Sequence, residues 1–326
     1  MKIEIIDAGH GDCILVTCGA ILILIDSGPK SFKIRKSVID SLKALLNGRE
    51  IDVAIVTHND DDHIGGFGYI IDSNIKIKKF IFNSLSYISK VLKLKGVNKQ
   101  ISYQQDINLQ QLLIERDIEV IAVNASDKAI SLGPFMQITP LTPDPSVLVM
   151  MYDDAIKKNK QISTLIKKEL SISECIELIK KGEDVFERDR SITNKSSLSF
   201  IIEHNGNNFL FLGDSHEDDV VSALKKYSHV KFKAVKLSHH GSERNTSNEL
   251  LSLIGKTDYI ICGDKSSHAH PNRKTISRIL CFDSSPKFHL SAENIELKEM
   301  FAECENEGFQ VNVTYPINKI NRVIYE

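Results

Sequence analysis

Tryptophan is absent from the 326 residues, and the six cysteines never form a C-x-x-C pair. The cysteines fall at 13, 18, 175, 262, 281 and 304, a scatter that supports neither a disulfide framework nor a thiolate zinc site. They read as reduced thiols, and a cytoplasmic location is expected. Charge of one sign is also missing. With 26% charged residues and a formal net charge of −2, no global field draws the chain to nucleic acid or to an anionic lipid surface. Long apolar runs are lacking too. Stretches such as Ile21–Ile25 are far too short to cross a bilayer, no charged-then-apolar leader is read, and no membrane partner is expected. No internal repeat at solenoid spacing is visible.

What is present alternates strand, polar loop and helix. Residues 2–26 read as three strands, separated by D-A-G-H-G-D (Asp7 to Asp12) and followed by Asp26-Ser27-Gly28. Asp7, Asp12 and Asp26 thus stand at strand ends beside glycines, where a backbone must approach something closely. Phe32 to Leu46 has helical periodicity and stops at Asn47-Gly48. Val53 to Val56 is a short buried strand, and a helix is predicted over about residues 64–73. Strands are predicted at Ile118–Val123 and Gln137–Leu141, and Pro140, Pro143 and Pro145 then break the chain. Val147 to Lys181 reads as mixed-charge helices with no site-like cluster, part of a helical insertion or lid over 146–190 within one domain spanning 1–326. Beyond it come strands ending in Gly213-Asp214, Ser238-His239-His240 and Gly263-Asp264, with His216 opening a helix to about Tyr227.

The stretch between Thr57 and Gly66 carries the strongest chemical signal. Within six residues stand His58, Asp60, Asp61, Asp62 and His63, a density of carboxylates and imidazoles that is electrostatically costly without a cation among them. Asp61 is expected to face solvent or to support its neighbours. Three further strand ends present the same residue types: Asp214, then His239-His240, then His268 and His270. Any one of these has a plain structural explanation as a cap, a turn or a half-buried pair. Their recurrence at the same place in each strand-loop unit points to a metal site.

Taken together, D-A-G-H-G-D at 7–12, I-D-S-G at 25–28, T-H-N-D-D-D-H-I-G-G at 57–66, N-K-S-S-L at 194–198, G-D at 213–214, H-H-G-S at 239–242 and A-H-P-N at 269–272 resemble the metallo-β-lactamase superfamily. The resemblance is to its branch of ComEC-like competence proteins and their stand-alone relatives, and it runs in order over almost the whole chain. It implies an α/β fold, an αββα sandwich with the site along one edge of two sheets. It also implies two divalent metal ions, with His58 and Asp60 on one, Asp62 and His63 on the other, and Asp214 bridging. His240 is the expected further ligand of the second ion, with His239 at the substrate, the two being exchangeable. The chain departs from the superfamily pattern at Asp60, which replaces the usual histidine, and in the third motif, where Asn194 and Ser197 stand instead. Oxygen donors harden that half of the site, so Mn²⁺ fits as well as Zn²⁺.

This reading leads to a metal-dependent hydrolase, a phosphodiesterase or nuclease that cleaves DNA with a metal-activated hydroxide. Asp62, His239 and His270 are the expected catalytic groups. Asn194, Ser197 and Ser242 are placed at the substrate, together with Lys93 and Lys95. Those two belong to a run of seven lysines (Lys76, Lys78, Lys79, Lys90, Lys93, Lys95 and Lys99) with no acidic residue between 76 and 99. The run reads either as solvated helix faces or as a surface for a polyanion's backbone. Two rivals remain: hydrolysis of a small phosphodiester (a cyclic nucleotide or a phosphocholine-type ester), and a non-catalytic partner protein with a structural metal. Structural zinc sites are closed four-ligand sets, whereas this array has surplus hydrophilic groups.

Overall fold

The structure is a computed structural model that describes residues 1–85, 104–157 and 169–326. Its first sheet holds β1 (Lys2–Ile6), β2 (Ile14–Cys18), β3 (Ile21–Ile25), β4 (Val53–Val56), β5 (Lys79–Phe82) and β6 (Glu119–Ile121). The second holds β7 (Ile130–Gly133), β8 (Met136–Pro140), β9 (Phe200–His204), β10 (Asn207–Phe211), β11 (Phe232–Lys236), β12 (Asp258–Ile261), β13 (Lys287–Leu290) and β14 (Asn312–Thr314). The last strand, β15 (Ile320–Ile324), returns to the edge of the first sheet beside β1. The orders are β15-β1-β2-β3-β4-β5-β6 and β14-β13-β12-β11-β10-β9-β8-β7.

Side-chain alternation explains how these strands layer. In β3 both faces are apolar, because Ile23 and Ile25 meet Phe200, Phe209 and Ile260 of the other sheet while Leu22 and Leu24 face a helix layer. That layer contains the helices Phe32–Leu46 and Phe67–Asp72, which contribute Leu42 and Phe67 to the outer core of the first sheet. On the far side, Val220, Leu251, Ile279 and Met300 come from four helices that cover the second sheet. The result is the αββα sandwich.

Several local expectations are corrected. In place of one helix over about 64–73 there is a single turn, Asp61–Ile64, then a separate helix, Phe67–Asp72. Gly65 and Gly66 separate them because the chain is pressed against its neighbours there. A Cβ on Gly65 would lie 2.4 Å from the Asp61 carbonyl oxygen, and one on Gly66 would lie 2.4 Å from that of Ser27. His216 is the N-cap of the helix Glu217–Leu224, which gives way to a 3-10 turn, Lys225–Tyr227.

Within the segment 146–190, Pro145–Lys157 and Ile172–Lys181 are helical, and residues 158–168 lie outside the described residues. The second helix starts on a capping box formed by Ser171 and Glu174 and ends at Gly182 in the left-handed region. Its Ile172 and Ile176 join the apolar cluster of Leu280, Leu297 and Met300, so this helix is part of the outer layer of the second sheet. Among the described residues, no helix is long and apolar enough to cross a membrane.

Candidate metal centre

The loops that follow β1, β3, β4, β10, β11 and β12 all reach one end of the sandwich. There Asp214, three residues past the end of β10, is 2% exposed and forms a hub. Its Oδ2 lies 3.5 Å from His63 Nε2, 3.6 Å from His240 Nε2, 3.8 Å from His239 Nε2 and 3.9 Å from His58 Nε2. Asp60 Oδ2 is 3.6 Å from His58 Nε2. Asp62 Oδ2 is 3.8 Å from His63 Nε2 and 3.1 Å from His240 Nε2. Donors sharing a tetrahedral ion at bond lengths near 2.0–2.2 Å stand about 3.3–3.6 Å apart, close to most of these separations. The Nε2 atoms of His58 and His63 are buried with no hydrogen-bond partner, as is Asp214 Oδ1. Orphaned donors and acceptors at one point are what a cation would satisfy, and the residues present fit one.

Each imidazole has a polar group behind it, on its Nδ1 side. His63 Nδ1 lies 2.8 Å from Asp26 Oδ2. Asp26, at φ +56°, also accepts from the Thr57 amide at 2.8 Å and the Thr57 hydroxyl at 2.7 Å, which ties β3 to the metal loop. That hydroxyl sits 3.1 Å from His58 Nδ1. Having donated to Asp26, it accepts from His58. His240 Nδ1 is 3.0 Å from Asp12 Oδ1, and His239 Nδ1 is 3.2 Å from Asp189 Oδ2. His239 and His240 both hold φ values in the left-handed region, +48° and +54°. For residues carrying a Cβ this costs roughly 1–2 kcal/mol each, and it brings two consecutive rings to the same hub.

The charges follow from this crowding. Burial opposes ionisation of Asp62, but His63 and His240 outweigh it and hold the carboxyl well below the usual range. Asp214 is likewise lowered against its burial by His63, His240 and His239. Conversely, burial disfavours charge on His240, yet Asp214 and Asp12 push its imidazolium up to about 10. His63 and His239 are raised for the same reason, against burial and chiefly by Asp214. The carboxylates thus call for positive charge in the cleft, as imidazolium or as a bound cation. His270 goes the other way, held well below its ordinary value by burial and by His239 and His240.

The expected site residues divide into groups. His58, Asp60, Asp62, His63, Asp214, His239 and His240 come together, and His270 joins them with its ring centroid 4.8 Å from that of His239. Asp61 turns to the rim, where its Oδ1 accepts from Gln105 and faces Lys30. Asp12 and Asp26 are buried behind the histidines, while Asp7 lies apart, bonded to the Gly9 amide and the Lys319 ammonium. Asn194, Ser197 and Ser242 sit in the wall and not in the cleft, their polar atoms engaged internally. Asn194 Nδ2 donates to Asp189, Ser197 Oγ accepts the Asp214 amide, and Ser242 Oγ accepts the Arg244 amide. Lys93 and Lys95 lie outside the described residues.

Three participants carry no sequence assignment. Lys236, 2% exposed, contacts Asp12 Oδ2 closely, lies 3.7 Å from Asp214 Oδ1 and donates to the Gly213 carbonyl at 3.0 Å. Burial works against its charge, but Asp12 and Asp214 raise its pKa. A lysine inside the apolar run of β11 was the available signal. Asp189 and Asn245 come from polar loop stretches with no such signal. His10, within the first motif, also lines the cleft, along with Asp264 and His268.

The family described as "Metallo-beta-lactamase superfamily" matches residues 6–78, which include the loop 57–66. "ComE operon protein 3" of Bacillus subtilis (strain 168) is 21% identical over 294 residues, covering 84% of this chain. The chain spans about 30% of that relative's length. Zinc-bound PqqB from Methylobacterium extorquens superposes over 100% of both chains with a TM-score of 0.48 and 11% identity. A diphosphatase of the PhnP family is 11% identical, with a TM-score of 0.42 over 100% of this chain and 98% of its own. The family match over residues 6–78 and the distant competence-operon relative together support the metallo-β-lactamase superfamily and a ComEC-like link.

Proposed function

We propose that the protein is a metal-dependent phosphodiesterase acting on nucleic acid, with DNA the favoured substrate. The observation that carries this is the convergence of four histidine Nε2 atoms on Asp214 Oδ2, with Asp60 and Asp62 beside them. His58 and Asp60 would hold one divalent ion, Asp62, His63 and His240 the other, and Asp214 would bridge. The oxygen-rich half suits Mn²⁺ as well as Zn²⁺. When bound, such a pair supplies Lewis acidity toward phosphate oxygens and makes water acidic enough to attack near neutral pH.

The chain's own residues do the rest. Asp62, ionised and tied to His240, presents a fixed acceptor that orients the attacking water. The Asn272 side-chain Oδ1 already accepts the Glu243 amide at 2.9 Å, so His270 Nδ1, 3.0 Å away, carries the proton it donates there. The other nitrogen of a neutral His270 is left as an acceptor, suited to taking a proton in the cleft more than to giving one. His239 Nε2 faces the hub, in reach of a phosphate's charge. Support for DNA comes from the resemblance to the ComEC-like branch. One observation favours the smaller-substrate reading: no Lys or Arg is among the described residues lining the cleft, as a polyanion's backbone would want.

A screen with Mn²⁺ or Zn²⁺ against DNA, RNA, cyclic nucleotides and bis(p-nitrophenyl) phosphate separates the two substrates. Asp62→Ala and His63→Ala, confirmed folded by circular dichroism, should lose at least about 100-fold in rate, the scale of a lost acid–base group. Wild-type rates in either variant would refute the mechanism.

A further inference from the structure

We propose that Asp189, on the return limb of the helical segment, is a positioning residue that holds His239 as its Nδ1–H form with Nε2 toward Asp214. The inference rests on the reading of this cleft as the active site. Asp189 lies in the loop between the helices Ile172–Lys181 and Ile192–Lys195 and is far from the metal loop in sequence. Its side chain is 10% exposed, and its two oxygens do different work. Oδ1 accepts the Ser191 amide at 2.9 Å, which shapes the loop. Oδ2 accepts from Asn194 Nδ2 at 2.8 Å and from Asn245 Nδ2 at 3.3 Å, and faces His239 Nδ1 at 3.2 Å.

The proton on His239 follows from its neighbours. Two acceptors, Asp189 Oδ2 and Asn245 Oδ1, each lie 3.2 Å from Nδ1. The one donor nearby, Asn194 Nδ2 at 3.3 Å, is already directed to Asp189. Asn245 is itself oriented, since its Nδ2 donates toward the Ser215 carbonyl at 3.2 Å and so leaves Oδ1 toward the ring. Nδ1 therefore carries a hydrogen, and Nε2 faces Asp214 Oδ2 at 3.8 Å. Asp26 stands behind His63 and Asp12 behind His240 in the same way, each a carboxylate on the Nδ1 side of a ring whose Nε2 faces the hub. What distinguishes Asp189 is its source: it comes from the 146–190 segment that sequence patterning marks as a helical insertion or lid. The segment thereby supplies part of the site's support.

The test is two-bond ¹H–¹⁵N correlation spectroscopy of the metal-free protein, with the ring neutral, alongside kinetics on bis(p-nitrophenyl) phosphate with Mn²⁺. Wild-type His239 is expected as Nδ1–H. Asp189→Ala frees Asn194 Nδ2, 3.3 Å from Nδ1, to donate to the ring in competition with the Asn245 acceptor, and should shift His239 toward the Nε2–H form and lower kcat about 10–100-fold with little change in KM. Asp189→Asn, which keeps an acceptor facing the ring, should restore the wild-type tautomer. If the alanine variant does not fold, Asp189→Ser replaces it, since serine can still serve the Ser191 amide but cannot reach His239. Retention of the Nδ1–H form in the alanine or serine variant overturns the proposal, as does an asparagine variant that behaves like alanine. Absence of wild-type phosphodiesterase activity would count against the active-site reading, and the tautomer spectra would still decide the role of Asp189.

Discussion

Lys236 concentrates the residue-scale argument. A lysine almost fully enclosed in β11, in close contact with Asp12 and 3.7 Å from Asp214, supplies positive charge beside the carboxylate that all four histidines face. Replacing it with methionine leaves two buried carboxylates short of a counter-charge, which typically costs about 3–5 kcal/mol. Zn²⁺ would restore part of the missing positive charge. Urea unfolding of Lys236→Met should therefore show a larger loss in chelator than in Zn²⁺, and equal losses would count against a cation at Asp214. Asp26→Asn tests the support of His63 and should weaken metal affinity about 10–100-fold, measured by calorimetric titration. At this scale the metal loop was legible because His58 to His63 are adjacent in sequence and their spacing alone implies a shared site. Lys236 left only a faint trace, one cation in the otherwise apolar run Ala234–Leu237. Asp189 left none, because its meaning depends on where a distant loop lands. Asn194, Ser197 and Ser242 fall close to the cleft, but which side of its wall they occupy is a matter of packing that a motif does not encode.

Elements explain why the loop keeps its shape. The helix Gln104–Glu115 contributes Asp106, fully buried, which accepts from Asn59 Nδ2 at 2.8 Å, Ser84 Oγ at 2.7 Å and the Leu85 amide at 3.0 Å. Burial outweighs those hydrogen bonds and pushes its carboxyl up to about 6. In the unfolded chain the group releases its proton near 4, so between about 4 and 6 the folded state binds more protons and stability falls as pH rises. Above about 6 the penalty is constant, on the order of 3 kcal/mol. Asp106→Asn, which cannot ionise, should flatten that part of the stability profile in urea titrations from pH 4 to 7. An unchanged slope would mean that Asp106 does not titrate there. Close backbone packing also constrains the loop: a Cβ on Gly11 would stand 2.2 Å from the Asp62 carbonyl oxygen. The strands β3 and β4 were readable from their apolar runs. The break at Gly65-Gly66 was not, since those glycines answer to segments 30 to 40 residues earlier in the chain.

For the molecule as a whole, two sheets bring loops from both halves of the chain to one end, and the helical segment is fastened to that assembly. Arg278, 1% exposed, pairs with both oxygens of Asp184 at 2.7 and 3.0 Å and donates to the carbonyls of Glu243 and Thr246. It therefore ties the limb carrying Asp189 to the loop carrying Asn245. Arg278→Met should cost about 3–5 kcal/mol and speed amide hydrogen exchange in residues 183–191. If exchange there is unchanged, the segment is held by its apolar packing alone. The sandwich itself was legible from the order of motifs over nearly the whole chain. The attachment of the segment was not, because Ile172 and Ile176 look like any amphipathic pair until their partners Leu280 and Met300 are known. All of this bears on one claim, that the hub at Asp214 holds two ions, and anomalous diffraction from crystals grown with Mn²⁺ or Zn²⁺ tests it directly. The account expects two peaks roughly 3.5–4 Å apart on either side of Asp214, one against His58 and Asp60 and one against Asp62, His63 and His240. No peak at Asp214, or ions held only by other residues, would contradict it.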